Sequence, residues 1–340
     1  MTLAAFADQF RRLKVNVAHG RASPHKICML LAVLDLARGG ALTQNRIEYA
    51  PPLLERYAMY FKAVRGAGDH PNPYFPFFHL AGSLRGGGES FWHLQPRPGH
   101  ESVLASMSTA RTARQVTENI DHARLDSELF ELLQDELAVD ALSAVLAETW
   151  FDRGLRDLDA VVGRTRQINH YERVLRTSSG PALIAAEAAP SCVRDPAFRR
   201  VVTEIYDFRC AATGLRLVLP DGAAMVEAAH IHPFSQAGDD DPRNGLALTP
   251  DMHWALDRHL IAPDTDFRWR VSPSLDRRVP EYRVLTELDG KPFEEAVSLA
   301  ACGRAEVGSI AVAAALALEH GVHVLELSKA LAQFHVGLRL

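Results

Sequence analysis

Two histidines and an asparagine, His230, Asn244 and His253, stand at separations of 14 and 9 residues within AAHIHPFSQAGDDDPRNGLALTPDMHWALD. The segment predicts that His230 lies at the end of a strand and that His253 lies on a short helix. Asp257 follows His253 by four residues, so both side chains are expected on one helix face. An imidazole and a carboxylate placed in this way are a suitable pair of ligands for a divalent metal ion.

The other two residues complete a set that could hydrolyse a phosphodiester. A histidine that faces the metal without binding it can deprotonate water, while the metal stabilises charge on the phosphate and the leaving oxygen. Asn244 precedes Gly245 and can hydrogen-bond across the loop to hold it closed. The alternative is that these histidines are ordinary core or surface groups. We leave Asp239, Asp240 and Asp241 out of the catalytic set, because successive side chains diverge and such carboxylates commonly cap a turn or stay solvated.

The elements that must position these residues can be predicted from the local sequence. RCAATGLRLVLPDGAAMVEAAHI predicts two short strands joined by the turn PDG, so the expected order around His230 is strand, strand, long loop, helix. TPDMHWALDRHLI predicts the helix, with Thr249 at the N-cap and Pro250 in the first turn. Upstream, DPAFRRVVTEIY predicts another helix that Asp195 caps and Pro196 begins.

On these residues, the segment at about 210–261 resembles the HNH endonucleases, which have a ββα-metal finger. The resemblance lies in the spacing of the two histidines and the asparagine, and in AAHI, NGLAL and H-x-x-x-D. It implies that His230 is the general base and that Asn244 fixes the loop. It also implies that His253 is a metal ligand, with Asp257 at the position of another.

The resemblance also implies a divalent metal cofactor. Mg²⁺ or Mn²⁺ is expected, with Zn²⁺ or another transition ion as the alternative. Many HNH enzymes carry an Asp or His immediately before the base, where this chain has Ala229. His232 and Glu227 are further candidate ligands, and strand alternation leaves both open.

The N-terminal half carries a basic segment and an aromatic–proline segment. Residues 9–34 include five Arg or Lys residues and no acid. GRASPHKICMLLAVLDL and HPNPYFPFFHL…FWHL are similar to the N-terminal domains of modification-dependent, type IV-like restriction endonucleases. More narrowly, they resemble the sulfur-binding domain that recognises phosphorothioated DNA. The residues implied as DNA contacts are Arg21, His25, Lys26, Tyr74, Phe75 and Pro76.

In that resemblance the basic residues hold phosphates and the aromatic–proline residues form an apolar pocket. Sulfur is larger and less well hydrated than oxygen, so such a pocket favours it. The alternatives are that the basic segment is a solvated surface, and that Phe75, Phe77 and Phe78 are core residues while the prolines shape a turn. Three prolines in DHPNPYFPFFHL indicate that it is not a plain helix. ESFWHL is predicted to be a strand, and residues 122–149 are predicted to be helical.

Composition limits the remaining possibilities. The net charge of −5 gives no global attraction to nucleic acid, so any attraction must come from local patches. The four cysteines are scattered without a C-x-x-C pair, which argues against a disulfide framework and a four-cysteine zinc site. No apolar run reaches membrane-spanning length and no secretory signal is evident, so a cytoplasmic protein without a membrane segment is predicted.

We therefore predict an α+β protein with two domains. Residues 1–177 would be a mixed α/β DNA-recognition domain, 178–193 a linker, and 194–290 an HNH nuclease domain with a ββα-metal finger. Residues 291–340 would be an apolar helical extension that packs on the core or forms a homodimer contact.

The predicted function is metal-dependent cleavage of DNA, with restriction of phosphorothioated DNA as its role. The alternatives are a nuclease that reads a modified base and a non-cleaving protein that binds modified DNA and keeps a decayed HNH finger.

Overall fold

The computed structural model describes residues 1–18, 20–66, 68–82, 84–151, 155, 157–177, 189–264 and 268–292. They divide into two compact units. The first holds Met1–Arg173 with Leu219–Ala223, and the second holds Val174–Val218 and the chain from Ala224. Most of the predicted linker, and the C-terminal extension beyond residue 292, lie outside the described residues.

Helices dominate the first unit. They are α1 (Leu3–Arg11), α2 (His25–Arg38), α3 (Pro51–Val64), α4 (Tyr74–His79), α5 (Glu101–Ser106), α6 (Ala113–Asn119), α7 (Ser127–Leu132), α8 (Glu136–Phe151) and α9 (Leu158–Thr177), the last four residues of which belong to the second unit. The strands are β1 (Val17–Ala18), β2 (Arg21–Ala22), β3 (Trp92–Pro96) and β4 (Ile120–Leu125). They form two antiparallel pairs, β1 with β2 and β3 with β4.

Helix α2 is the centre of the first core. It is buried from Ile27 to Arg38 and packs against α3, α4 and α8, because its sequence is apolar on nearly every face. The chain leaves the helix at Gly39, and Gly40 adopts a φ of 73°, which glycine reaches without strain.

Two predictions for this unit held only in part. The aromatic–proline segment contains helix α4, because Pro73 is its N-cap and Pro76 falls in its first turn, where a missing N–H costs no helical hydrogen bond. Residues 120–125 form β4, the partner of the correctly predicted strand β3. There Ile120, Ala123 and Leu125 are buried, so pairing and burial outweigh the local helical pattern.

A buried ion-pair network joins three helices of the first unit. Arg38, 1% exposed, donates to Asp35 at 2.9 Å, to Asp140 at 3.1 Å and to Ser143 at 2.8 Å. The second oxygen of Asp35 accepts from the Tyr60 hydroxyl at 2.8 Å. The network therefore leaves no charge of Arg38 uncompensated inside the core.

The second unit is built around a small antiparallel sheet. Its helices are α10 (Ser191–Ile205), α11 (Phe234–Ala237), α12 (Pro250–Asp257) and α13 (Arg283–Thr286), with 3₁₀ turns at Pro242–Asn244 and Pro280–Tyr282. Its strands are β5 (Glu227–His230), β6 (Gly245–Leu248), β7 (Ile261–Pro263) and β8 (Trp269–Val271). Strand β5 pairs with β6, and β7 pairs with β8.

The order strand, strand, long loop, helix was wrong. The partner of β5 is β6, which follows the loop, so the observed order is strand, loop, strand, helix. The residues before β5 make only isolated bridges, among them the pair Val218 and Ala224, and they expose leucines. Every residue of β6 is buried, so pairing with β6 covers more apolar surface.

The two helix starts gave different outcomes. Helix α12 has Thr249 at its N-cap and Pro250 in its first turn, as predicted. Helix α10 begins at Ser191 instead of at Asp195, and Pro196 lies inside it. The extra turn buries Val193 and Arg194, which accounts for the earlier start.

Helices and small antiparallel sheets together confirm the α+β class. Within the part of the chain that the structure describes, no helix has the length and apolar character needed to cross a membrane.

Replacing Arg38 by methionine tests the buried network. The substitution removes the buried cation that Asp35 and Asp140 share, while Asp140 keeps its ion pair with Arg166. We expect the free energy of unfolding to fall by about 3–5 kcal/mol, because the buried Asp35 loses this partner. Urea denaturation followed by circular dichroism measures this loss. Arg114→Met, at an exposed pair with Glu118, is the control and should leave the unfolding midpoint unchanged. Equal midpoints for both variants would contradict the assigned role of the network.

Candidate functional site

The side chain of Asn244 closes the loop between β5 and β6. Its Oδ1 accepts from the backbone N–H of His232 at 2.8 Å, and its Nδ2 donates to the carbonyls of His232 at 3.0 Å and Asp239 at 3.1 Å. Asn244 is only 7% exposed, so these bonds are largely shielded from water. They fix both ends of the loop that begins directly after His230.

A first cluster surrounds the imidazole of His230. Its Nε2 lies 3.0 Å from Oδ1 of Asp240, whose Oδ2 accepts from Nη1 of Arg194 at 2.9 Å. The ring stacks on Phe198 with centroids 4.1 Å apart and planes 3° apart. Asp240 is 3% exposed, while a quarter of the His230 side chain remains accessible. We call His230, Asp240, Arg194 and Phe198 the His230 cluster.

A second cluster surrounds the imidazole of His253 on α12. Its Nδ1 lies 2.8 Å from Oε2 of Glu227, and its Nε2 lies 3.7 Å from Oδ2 of Asp257. A carboxylate on one ring nitrogen orients a histidine so that the other nitrogen can bind a metal. We call His253, Glu227 and Asp257 the His253 cluster.

The His253 cluster offers few donor atoms, so it suits a cation that also binds water molecules and phosphate oxygens. Two donors on one ion at about 2.1 Å are roughly 3 Å apart, so His253 and Asp257 need only a small adjustment to share one. Mg²⁺ keeps several waters and phosphate oxygens besides one or two carboxylates. A closed zinc site takes four protein ligands. Among the described residues, no group of three or more His, Cys, Asp or Glu side chains is arranged to hold a metal ion.

The two clusters do not touch through their histidines. Alternation along β5 places His230 on the face that α10 covers, and Glu227 on the opposite face. The backbone positions of these two residues are about 10 Å apart along the strand. Within the described residues, no hydrogen bond or ion pair joins the rings of His230 and His253.

The sulfur of Cys210 ties the loop before β5 to the start of α12. It accepts from the backbone N–H of Thr249 at 3.4 Å and lies 3.6 Å from the Thr249 hydroxyl. The Thr249 side chain therefore faces the thiol and does not cap the helix. Cys210 is completely buried, as expected for a packing residue.

Two of the predicted DNA contacts in the first unit have partners within the protein. Arg21 pairs with Asp69 at 2.7 Å and donates to the carbonyl of Val64. Both ring nitrogens of His25 are engaged, with the Ser23 hydroxyl and the His70 carbonyl at 2.9 Å each. Burial lowers the pKa of His25. These side chains shape the segment rather than offering free cations.

Lys26 is different. It is half-buried and makes no hydrogen bond or ion pair with the described residues. Burial, together with the nearby charge of Lys14, lowers its pKa to about 8. Burial and the charge of Lys26 also lower the pKa of His79, which places the two side chains near each other.

The aromatic–proline residues also separate. Phe75 is 40% exposed and packs on His79 with centroids 4.2 Å apart. Tyr74 is half-buried and Pro76 is buried. Phe77 and Phe78 are core residues, so the core interpretation holds for them and not for Phe75.

Sequence reasoning missed three residues of the two clusters, Asp240, Arg194 and Phe198. Asp240 was predicted to be solvated or to cap a turn, which is wrong for it and right for Asp241, which caps the 3₁₀ turn. Glu227 was left open. Arg194 and Phe198 lie on a helix that was not linked to the site. Their spacing of four residues was the available signal, because it puts both on one face of α10.

The family model described as HNH endonuclease matches residues 210–262. This segment is similar to the HNH endonucleases. The predicted HNH resemblance at 210–261 is therefore confirmed, and it supports a metal-dependent nuclease that acts on DNA. The match does not reach the N-terminal half, where the resemblance to a sulfur-binding domain stays a prediction. A search of curated proteins finds no match for this chain.

Gly245 offers a test of how closely α10 packs on this domain. An added Cβ would lie 2.4 Å from Cγ2 of Val202 and 2.9 Å from Cζ of Phe198. We expect Gly245→Ala to lower the free energy of unfolding by about 1–3 kcal/mol, since an overpacked core must shift. Gly163→Ala on α9, where nothing lies within 4 Å, should instead stabilise by about 0.5–1 kcal/mol. Chemical denaturation measures both, and a stabilising Gly245→Ala would contradict the packing.

Proposed function

We propose that the protein is a metal-dependent DNA endonuclease in which His230 is the general base and His253 with Asp257 holds the metal. The proposal is carried by the hydrogen bonding of the His230 ring, which lies in the segment similar to HNH endonucleases. Asp240 occupies Nε2, and Nδ1 makes no hydrogen bond with the described residues, so it is available to accept a proton. The partly accessible ring can reach a water molecule.

The reaction is hydrolysis of one phosphodiester. Nδ1 of His230 takes a proton from water as the water oxygen bonds to phosphorus, and the bond between phosphorus and the leaving oxygen breaks. A bound divalent cation would stabilise the charge on the phosphate and the leaving oxygen. Glu227 holds His253 so that Nε2 faces Asp257. Asn244 keeps the loop closed, and with it the position of Asp240.

We further propose that the first unit recognises modified DNA through a surface formed by Lys14, Lys26, Phe75 and His79. The half-buried ammonium of Lys26 has no carboxylate partner among the described residues, so it favours binding of an anion such as a DNA phosphate. The exposed ring of Phe75 adds an apolar contact, which favours a poorly hydrated substituent such as sulfur over oxygen. The role would be restriction of phosphorothioated DNA.

Replacing His230 by alanine tests the proposed nuclease activity. We expect His230→Ala to cut DNA about 10²- to 10⁴-fold more slowly than the wild type in Mn²⁺ or Mg²⁺, because the general base is gone. Plasmid nicking followed on gels measures the rates, and a chelator should stop the wild type.

The matched control for this test is His259→Asn. His259 is half-buried and has a φ of 55°, which asparagine tolerates. The control variant should cut like the wild type. A wild type that binds DNA but does not cut it, whichever metal is added, would support the decayed-finger alternative. A His230→Ala protein that cuts at the wild-type rate would rule out His230 as the base.

Recognition is tested with matched plain, phosphorothioated and base-modified duplexes. We expect the tightest binding to the phosphorothioated duplex, and a loss of that preference in Lys26→Ala and Phe75→Ala. Binding should weaken as the pH rises past about 8, where Lys26 loses its charge, and Lys26→Arg should be insensitive over the same range. Fluorescence anisotropy at constant salt measures all four proteins.

Lys62→Ala is the control, because Lys62 is exposed on α3. It should bind like the wild type. Preference for the base-modified duplex would instead support the alternative of a modified-base nuclease. Equal binding to all three duplexes would remove the recognition proposal and leave the nuclease proposal standing.

A further inference from the structure

The two oxygens of Asp240 serve different partners on different elements. Oδ1 contacts Nε2 of His230 on β5, and Oδ2 accepts from Arg194 on α10. Asp240 is 3% exposed and the Arg194 side chain is 11% exposed, so water screens neither contact strongly. The carboxylate therefore connects the HNH domain to a helix that lies outside residues 210–262.

This contact selects one protonation pattern of the imidazole. An arginine stays charged in proteins, so the carboxylate beside it is expected to be an anion. An ionised carboxylate can only accept hydrogen bonds, so Nε2 of His230 must carry the proton. The lone pair of the neutral ring then resides on Nδ1, the nitrogen that the proposed reaction needs.

The plane of the ring is fixed separately. Phe198 stacks on it from α10, one turn after Arg194. The guanidinium of Arg194 lies 3.7 Å from the centroid of the Phe234 ring, which gives the cation a second contact. Asp240, which Arg194 of α10 contacts, thus holds the Nε2 edge of the His230 ring, and Phe198 of α10 holds its face.

We propose that Asp240 and Arg194 are positioning residues for the nuclease reaction, and that helix α10 is part of the nuclease site. They hold His230 with its proton on Nε2 and its acceptor nitrogen toward the water. This rests on the proposed role of His230 as the general base. Neither residue touches the substrate in this proposal.

The test uses the full-length protein labelled with ¹⁵N at histidine. Asn at position 240 keeps the shape of the side chain, but its amide can donate to Nε2 and so favours the proton on Nδ1. We expect the imidazole nitrogen shifts of His230, assigned with His230→Gln, to report a proton on Nε2 in the wild type and on Nδ1 in Asp240→Asn. The His253 signals should not change.

Cleavage rates are measured on the same proteins. We expect Asp240→Asn to be about 10²- to 10⁴-fold slower than the wild type, as when a base is held in the wrong tautomer. Asp239→Asn is the matched control, because it alters a neighbouring carboxylate of the same loop that does not contact His230. Arg194→Met should be slow, and Arg194→Lys should recover part of the rate because it keeps the charge.

The outcomes separate the two proposals. A wild type that cuts no DNA overturns the nuclease proposal, while the imidazole shifts still decide whether Asp240 sets the tautomer. A wild type that cuts with its proton on Nδ1, or an Asp240→Asn protein that cuts as fast as Asp239→Asn, overturns the positioning proposal alone. Should Asp240→Asn fail to fold, Arg194→Met and Arg194→Lys still give both readouts.

Discussion

The side-chain amide of Asn244 is the constraint on which the rest of the site depends. Its three hydrogen bonds to backbone groups return the loop to the end of β5. That return sets the pairing of His230 with Gly245, and it brings Asp240 beneath the imidazole. A side chain with one acceptor and two donors can satisfy all three groups at once, which neither aspartate nor leucine can do. Loop closure and the placement of His230 are therefore one structural event.

The residues of β5 and β6 that face α10 explain why this helix can pack close to His230. Ala228, Ala247 and Gly245 share the strand face of His230, and all are small. Small side chains let a helix approach the sheet closely, so Phe198 can stack on His230 and Arg194 can reach Asp240. Larger residues on this face would hold α10 too far away for either contact.

The sequence allowed prediction where the information is local. Thr249 and Pro250 mark a helix start, and the four-residue spacing of His253 and Asp257 places them on one face whatever the surroundings. Prediction from the sequence failed where contacts between residues distant in the chain determine the structure. The divergence of three successive carboxylates was judged correctly, yet nothing local shows which one the loop turns inward. Likewise β6 replaces the expected partner of β5, because burial of whole strands is a tertiary property that turn motifs do not report.

The contact between Cys210 and Thr249 has a consequence for the reactivity of the thiol. The sulfur is buried only while the helix that carries His253 remains docked, since the first N–H of that helix end points at it. Cys192, by contrast, is exposed at the start of α10. An alkylating reagent would therefore meet one cysteine at once and the other only after local opening. The rate of the slow modification would therefore report how often α12 separates from Cys210.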